Sequence, residues 1–180
     1  MHFFAKLVTA LPAIAGVASA AVIPRAVDSD TMVTSLQDLS TKSSDTDTLA
    51  QKMSASDFQS GPAVTNSLSD LIKATTKDTS DSAGTQAFAD DTAQQAVCDA
   101  YDSFVKVQSA MLNTLTGKAD VAKQTGSSYS IAAALRVLEG ADDTYSFEII
   151  EAVPSCADAV KADKTTLDKA MNDAITAYSS

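Results

Sequence analysis

Apolar residues recur at steps of three and four along most of the chain, which is the period of an amphipathic helix. The pattern is clearest at residues 96–115, where apolar side chains fall on one stripe of a continuous helix. Strand-like alternation is weak, and helix-breaking residues are sparse, with 6 Gly and 4 Pro. The pattern therefore predicts an all-α fold, an up-down bundle of about five helices in a single domain.

Breaks in the same pattern predict where the helices begin and end. The first helix should run from Ser29 or Asp30 to about Met53, with a polar middle at residues 43–48 that is open to fraying or a break. The other helices are predicted at about residues 62–80, 85–116, 128–152 and 155–178, with Gly117 ending the third and a polar connection at 117–127. Gly140, inside the fourth, either allows close helix packing or marks a bend.

The first 20 residues have the pattern of a secretory leader. A short n-region ending at Lys6 precedes an apolar run, and Ala18-Ser19-Ala20 fits a signal-peptidase site. We expect a signal peptide at residues 1–20, a short flexible or propeptide segment at 21–29, and the helical-bundle domain at 30–180. The protein should be secreted, extracellular or held in a cell wall, with no transmembrane segment in the mature chain.

Charge bears on the class of partner. The chain has 13 Lys and Arg against 23 Asp and Glu, a formal net charge of −10. Loss of Lys6 with the leader makes the mature chain one unit more negative. Such a chain repels polyanions, and it has no cluster of Lys or Arg, so we expect no nucleic-acid partner.

The two cysteines, Cys98 and Cys156, are an even pair in a chain bound for an oxidising compartment. A disulfide that closes a loop of this length should stabilise the fold by on the order of 4 kcal/mol. The rival interpretation, a catalytic thiol, requires a histidine partner. The sole histidine of the chain, His2, lies in the leader, so the sequence predicts one disulfide.

Signatures of catalysis and metal binding are missing from the sequence. Without a mature histidine, there is no Ser-His-Asp or Cys-His unit and no histidine-based zinc site. We therefore predict no catalytic residue, no metal site, no cofactor and no enzymatic activity. Several carboxylate pairs are interpreted as solvated helix faces, helix N-termini or turns: Asp90-Asp91, Asp142-Asp143, Glu148 with Glu151, and Asp45 with Asp47.

The second half of the chain resembles a fungal secreted family, that of hydrophobic surface-binding protein A and the antigenic cell-wall galactomannoproteins. The resemblance covers most of residues 30–180 and is strongest over 100–180. It rests on the order and spacing of several motifs: Phe104-Val105-Lys106-Val107-Gln108, Met111-Leu112, residues 134–140 (ALRVLEG), Asp142-x-x-Tyr145-x-Phe147, Ala152-Val153-Pro154, and Leu167-Asp168 with Ile175-x-x-Tyr178.

The resemblance implies a fold of about five helices in a secreted or wall-associated protein. Some members adsorb to hydrophobic surfaces and help to recruit polyester-degrading enzymes, and others enclose fatty acids in a tunnel between helices. It thus implies a non-catalytic protein that binds fatty-acid-like ligands or hydrophobic surfaces. The alternatives are a structural, antigenic cell-wall mannoprotein without a ligand, and a surface-adsorbed recruiter of a secreted hydrolase. The first two helices match the family loosely, so the resemblance does not decide whether a tunnel lined partly by these helices is preserved.

One polar residue interrupts the central stripe. Gln108 stands where an apolar residue belongs, and its amide could donate to the carboxylate of a fatty acid. The alternative is a core glutamine bonded to a facing serine or to a backbone carbonyl. The candidate residues around an acyl chain, each of which could instead be plain core, are Tyr101, Phe104, Gln108, Met111, Leu115, Leu135, Leu138 and Ile149.

Overall fold

The computed structural model describes residues 27–179, so the predicted signal peptide and most of the segment at 21–29 lie outside the described residues. Over that range the chain forms five α-helices and no β-strand, which confirms the all-α prediction. None of the five combines the length and apolarity that a membrane crossing requires. They are α1 (Ser29–Gln51), α2 (Ser60–Ser82), α3 (Asp91–Thr125), α4 (Ser128–Ala152) and α5 (Ala157–Ser179).

Successive helices alternate in direction. At one end of the bundle, the N–H of Val27 donates to Thr85 Oγ1 at 3.3 Å, and the N–H of Phe88 donates to the carbonyl of Ala152 at 2.9 Å. At the other end, Ser128 Oγ donates to the carbonyl of Tyr178 at 3.2 Å. These contacts place the starts of α1, α3 and α5 beside the ends of α2 and α4. The predicted up-down bundle is therefore confirmed.

The five helices enclose one apolar core. α3 packs along α1 on one side and α5 on the other, while α2 packs along α4. Contacts of α1 with α2 and of α4 with α5 close the sides. α3 thus faces α2 and α4 across the core, and it approaches α4 mainly through long side chains.

The third helix is longer than the sequence predicts. It begins at Asp91, where the side chain of Asp90 accepts a hydrogen bond from the N–H of Thr92. It then passes through Gly117 and ends at Thr125, where it is capped by Gly126, whose φ of 76° is the left-handed conformation that favours glycine. The predicted start at 85, the stop at Gly117 and the connection at 117–127 are wrong. Buried Ala119 and Ala122 continue the stripe past Leu115, and their small side chains hide the periodicity.

The polar middle of α1 does not break the helix. Ser43 and Thr46 are fully buried, and Thr46 Oγ1 donates to the carbonyl of Lys42 at 2.8 Å. The same oxygen lies 2.7 Å from Ser67 Oγ of α2. Short hydroxyl side chains can bond within their own helix, so a polar stretch can remain helical when it packs against a neighbour.

A glycine allows two helices to approach closely at Gly61, and not at Gly140. A Cβ added at Gly140 would meet no heavy atom within 4 Å, so the close-packing interpretation of this residue is wrong. At Gly61, near the start of α2, a Cβ would overlap the side chain of Ser127, just before α4. Only glycine therefore lets the starts of these two helices approach so closely.

The disulfide joins Cys98 in α3 to Cys156 just before α5, with the Cα atoms 6.6 Å apart, which confirms the predicted pair. Gln94, one turn before Cys98, reinforces the same end of the bundle. Its Oε1 accepts from the N–H of Ser155 at 2.7 Å, and its Nε2 donates to the carbonyl of Phe88 at 2.6 Å. The starts of α3 and α5 are thereby fixed beside each other.

Candidate functional site

The eight candidate residues all lie in the core. Each is at most 1% exposed. The seven apolar or aromatic residues belong to one continuous buried cluster, and Gln108 is hydrogen-bonded to Asp142. Two hydrogen-bonded bridges show that the α3 residues face α4. Whether any of the eight contacts a ligand stays a prediction. They are Tyr101, Phe104, Gln108, Met111 and Leu115 of α3, and Leu135, Leu138 and Ile149 of α4.

The first bridge between α3 and α4, here the tyrosine bridge, has all its hydroxyl groups engaged. Tyr101 Oη lies 2.7 Å from Ser146 Oγ, and Ser146 Oγ donates to the carbonyl of Asp142 at 2.7 Å. Tyr101 is consequently the donor to Ser146. Burial raises the pKa of Tyr101, so its hydroxyl keeps the proton that this bond requires. The ring of Phe104 packs 6.1 Å from that of Tyr101.

The second bridge, here the amide–carboxyl pair, lies two turns further along α3. Gln108 Nε2 donates to Asp142 Oδ2 at 2.6 Å. Both anticipated partners of Gln108, a serine and a backbone carbonyl, are therefore wrong. Also wrong is the solvated interpretation of Asp142, which is 5% exposed. Its neighbour Asp143 does lie towards the surface, beside Lys164 of α5.

Burial raises the pKa of Asp142 well above its ordinary value, because a buried carboxylate loses its hydration. The bond from Gln108 opposes this effect, as does the charge of Lys164, whereas Asp143 and Asp168 add to it. Lys164 Nζ is itself held 2.8 Å from Asp168 and beside Asp143, and it lies 5.6 Å from the centre of the Phe147 ring. The charge of Lys164 is thus shared with two other carboxylates, and burial keeps the pKa of Asp142 above its ordinary value.

The amide–carboxyl pair leaves two oxygen atoms without partners. Within the described part of the chain, neither Gln108 Oε1 nor Asp142 Oδ1 has a hydrogen-bond partner, although both are buried. Unpaired buried polar atoms are costly, at about 1–3 kcal/mol each. Such a pair in an apolar core is either a structural weakness or a place where a polar group of a ligand can bind.

Most of the remaining interior is filled by apolar side chains, with methionines distributed through it: Met32, Met53, Met111 and Met171. Methionine has three rotatable bonds and adapts to irregular space, so a core of this kind can rearrange around a guest. The depressions among the described residues include open grooves between helix pairs. One of about 550 Å³ lies between α1 and α3, and one of about 410 Å³ lies between α2 and α4.

No arrangement for metal chemistry is visible in residues 27–179. No group of three His, Cys, Asp or Glu side chains in this range is placed to hold a metal ion. Asp90 and Asp91 are exposed at the start of α3, and Asp90 acts as its N-cap. Both carboxylates therefore lie at the N-terminus of α3, where negative charge stabilises a helix.

Among the solved structures that share this fold are two complexes with fatty acids. Afmp4p in complex with palmitic acid superposes with a TM-score of 0.78, covering 84% of this chain and 99% of its own, at 17% identity. Ligand binding domain 1 of the Penicillium marneffei MP1 protein, complexed with arachidonic acids, gives a TM-score of 0.65, covering 86% and 99%, at 14% identity. No model of a protein family and no curated protein matches the sequence. At these identities the likeness establishes the fold.

Asp142 is the site residue that sequence reasoning missed, and a signal for it exists. On α4, Asp142 occupies the same stripe as Leu135, Leu138, Tyr145 and Ile149, at the three- and four-residue steps of the buried face. Its charge suggested solvent, whereas its register predicted burial. When a polar residue at a core position of one helix can meet another on the facing helix, the two are candidates for a buried pair.

Proposed function

We propose that this chain is a non-catalytic protein that binds a fatty-acid-like ligand in the core between α3 and α4. The observation that carries the proposal is the shared fold, because two solved structures that share it are complexes with long-chain fatty acids. The structure adds an apolar interior in which a polar pair has unused hydrogen-bonding capacity.

The register of the helices suggests how a ligand would lie. From Gln108 to Ala122 the buried stripe of α3 extends about 21 Å, at 1.5 Å per residue. This length suits a long acyl chain. Opposite, the stripe of α4 runs from Asp142 back through Leu138 and Leu135. A head group at the amide–carboxyl pair would therefore direct its chain past Met111 and Leu115.

The energetics favour an acyl chain over a polar ligand. Each methylene that leaves water contributes roughly 0.8 kcal/mol. A long chain can therefore offset the cost of displacing core side chains and of losing its own freedom on binding. Rearrangement of Met111, which is fully buried on the stripe, would supply part of the space.

We also propose that the chain acts outside the cell. The leader at residues 1–20 supports secretion. The Cys98–Cys156 disulfide supports it independently, because disulfides persist in oxidising compartments. Association with a fungal cell wall follows from the sequence resemblance alone.

The test begins with the secreted protein. It is purified and extracted with organic solvent, the extract is analysed by mass spectrometry for lipid, and the delipidated protein is titrated with palmitic acid. The proposal predicts recovered lipid and saturable binding at one site. A matched control is Val137→Gln, an exposed position in the groove between α2 and α4, which should leave this binding unchanged. Absence of both lipid and saturable binding would leave the structural mannoprotein as the better description.

A second candidate function is adsorption to hydrophobic surfaces, with recruitment of a secreted hydrolase as its extension. The observation in favour is apolar exposure on the outside of α4, where Val137 is 57% and Phe147 is 59% exposed. Val137 also lines the α2–α4 groove with Ile72. Adsorption to polyester particles should weaken in Val137→Gln. If the native chain and the variant adsorb equally, this candidate loses its support.

A further inference from the structure

The two unpartnered oxygens of the amide–carboxyl pair are the starting point. Gln108 Oε1 can only accept a hydrogen bond, since an amide oxygen carries no proton. Asp142 Oδ1 accepts when the carboxyl is ionised, and can donate when it is protonated on that oxygen. Both residues are more than nine-tenths buried and lie on the facing stripes of α3 and α4. The pair therefore lacks a partner that donates a hydrogen bond to Gln108 Oε1.

We propose that the amide–carboxyl pair binds an uncharged hydroxyl head group, namely that of a long-chain alcohol or of a fatty acid in its protonated form, in preference to an ionised carboxylate. The inference rests on the proposed function and specifies its ligand. The ligand O–H donates to Gln108 Oε1, and the ligand oxygen is placed to interact with Asp142. No covalent bond forms or breaks, and the ligand keeps its proton.

An ionised carboxylate fits this place poorly. It would offer Gln108 Oε1 a second acceptor in place of a donor, and it would introduce a further carboxyl beside Asp142. Two adjacent carboxyl groups in a buried site cannot both ionise easily, so Asp142 would have to keep its proton, and even then Gln108 Oε1 would face an acceptor and stay without a partner. The desolvation of the ligand's charge adds to the cost, because burying an unpaired ion is strongly unfavourable.

The charged and titratable groups around the pair do not offset the cost of burying an ionised head group. Lys164 of α5 is the cation that acts on Asp142, and its ammonium is engaged by Asp143 and Asp168. Those two carboxylates oppose a further negative charge. From α3, the hydroxyl of Tyr101 is directed to Ser146. Among the described groups that influence Asp142, none is free to neutralise an ionised head group.

The experiment compares two ligands with the same chain, decan-1-ol and decanoic acid, by isothermal titration calorimetry at several pH values between 5.5 and 8. The affinity for decanoic acid should fall about tenfold per pH unit, because only the fraction that retains its proton binds. The affinity for decan-1-ol should change by less than about threefold over the same range. At pH 8 the alcohol should bind at least about tenfold more tightly than the acid.

The variants locate the effect. Gln108→Leu combined with Asp142→Leu should weaken the binding of decan-1-ol at pH 8 by about tenfold, since its hydroxyl is then buried without a hydrogen-bond partner. The control is Thr75→Val, which replaces a fully buried hydroxyl on α2 without touching the pair, and the affinity for decan-1-ol should persist. If the double variant does not fold, the pH series on the native chain still decides.

Two failures are distinguishable. If neither ligand binds, the proposed function fails, and this inference fails with it. If decanoate binds as tightly as decan-1-ol at pH 8, and its affinity does not change with pH, the inference is overturned while the proposed function stands. That second result would mean that the unpartnered oxygens are met by buried water and the head group lies elsewhere.

Discussion

The two bridges between α3 and α4 differ in how fully their polar atoms are used. In the tyrosine bridge, Tyr101 donates to Ser146 and Ser146 donates to a backbone carbonyl, so the chain of hydrogen bonds is closed. In the amide–carboxyl pair, one bond joins Gln108 to Asp142 and two buried oxygens remain without partners. A closed network has the properties of a structural element, whereas an open one retains capacity for a ligand.

The largest expected effect comes from removing one member of the amide–carboxyl pair. Gln108→Leu should lower the free energy of unfolding by about 2 kcal/mol, because it leaves the Asp142 carboxyl buried without its donor. The double variant with Asp142→Leu should recover most of this loss, since both polar groups are then replaced by hydrocarbon. Chemical denaturation of the three proteins measures both values. A double variant less stable than the single one would show that the pair is a stabilising contact.

Removal of the tyrosine hydroxyl should cost less. Tyr101→Phe deletes one hydrogen bond from a closed network, and Ser146 still donates to the Asp142 carbonyl. We expect a loss of about 1 kcal/mol in the free energy of unfolding, measured by denaturation under the same conditions. A loss greater than that of Gln108→Leu would reverse the order of the two bridges.

The pH dependence of stability separates the bridges in another way. Because burial raises the pKa of Asp142 in the folded chain, the unfolded chain releases this proton first as the pH rises. The contribution of Asp142 to stability is therefore full below the ordinary aspartate pKa and declines as the pH rises towards the folded pKa. Asp142→Asn should lose less stability than the native chain on going from acidic to neutral pH. Parallel curves for the two proteins would contradict a raised pKa.

The smallest effect is expected at the adjacent carboxylate. Asp143→Asn removes one partner of Lys164, which retains Asp168, and the site is part-exposed. Lys164 keeps its pair with Asp168 and the carboxylate of Asp143 is part-exposed, so the free energy of unfolding should change by less than about 0.5 kcal/mol. Asp143→Asn is thus the control for Asp142→Asn, because it removes a carboxylate from the neighbouring residue nearer the surface. An equal loss in both variants would indicate a general effect of charge.

Sequence patterning predicted most of the fold, since the steps of three and four residues mark the buried stripes of all five helices. It failed at the end of α3, because Ala119 and Ala122 are too small to stand out and Gly117 is typical of a helix end. It also failed at Asp142, where the identity of the residue outweighed its register. The Gln108–Asp142 bond lay beyond prediction, because it depends on how two helices distant in sequence align.

The central claim is that an acyl chain lies between α3 and α4, with its head at the amide–carboxyl pair. Nuclear magnetic resonance with methyl-labelled protein and palmitic acid tests this most directly, through contacts between ligand protons and protein methyl groups. We predict contacts to Met111, Leu115, Leu135 and Leu138, with none to the exposed methyls of Val137. Contacts to Val137 and Ile72 alone would place the ligand in the outer groove and contradict the account.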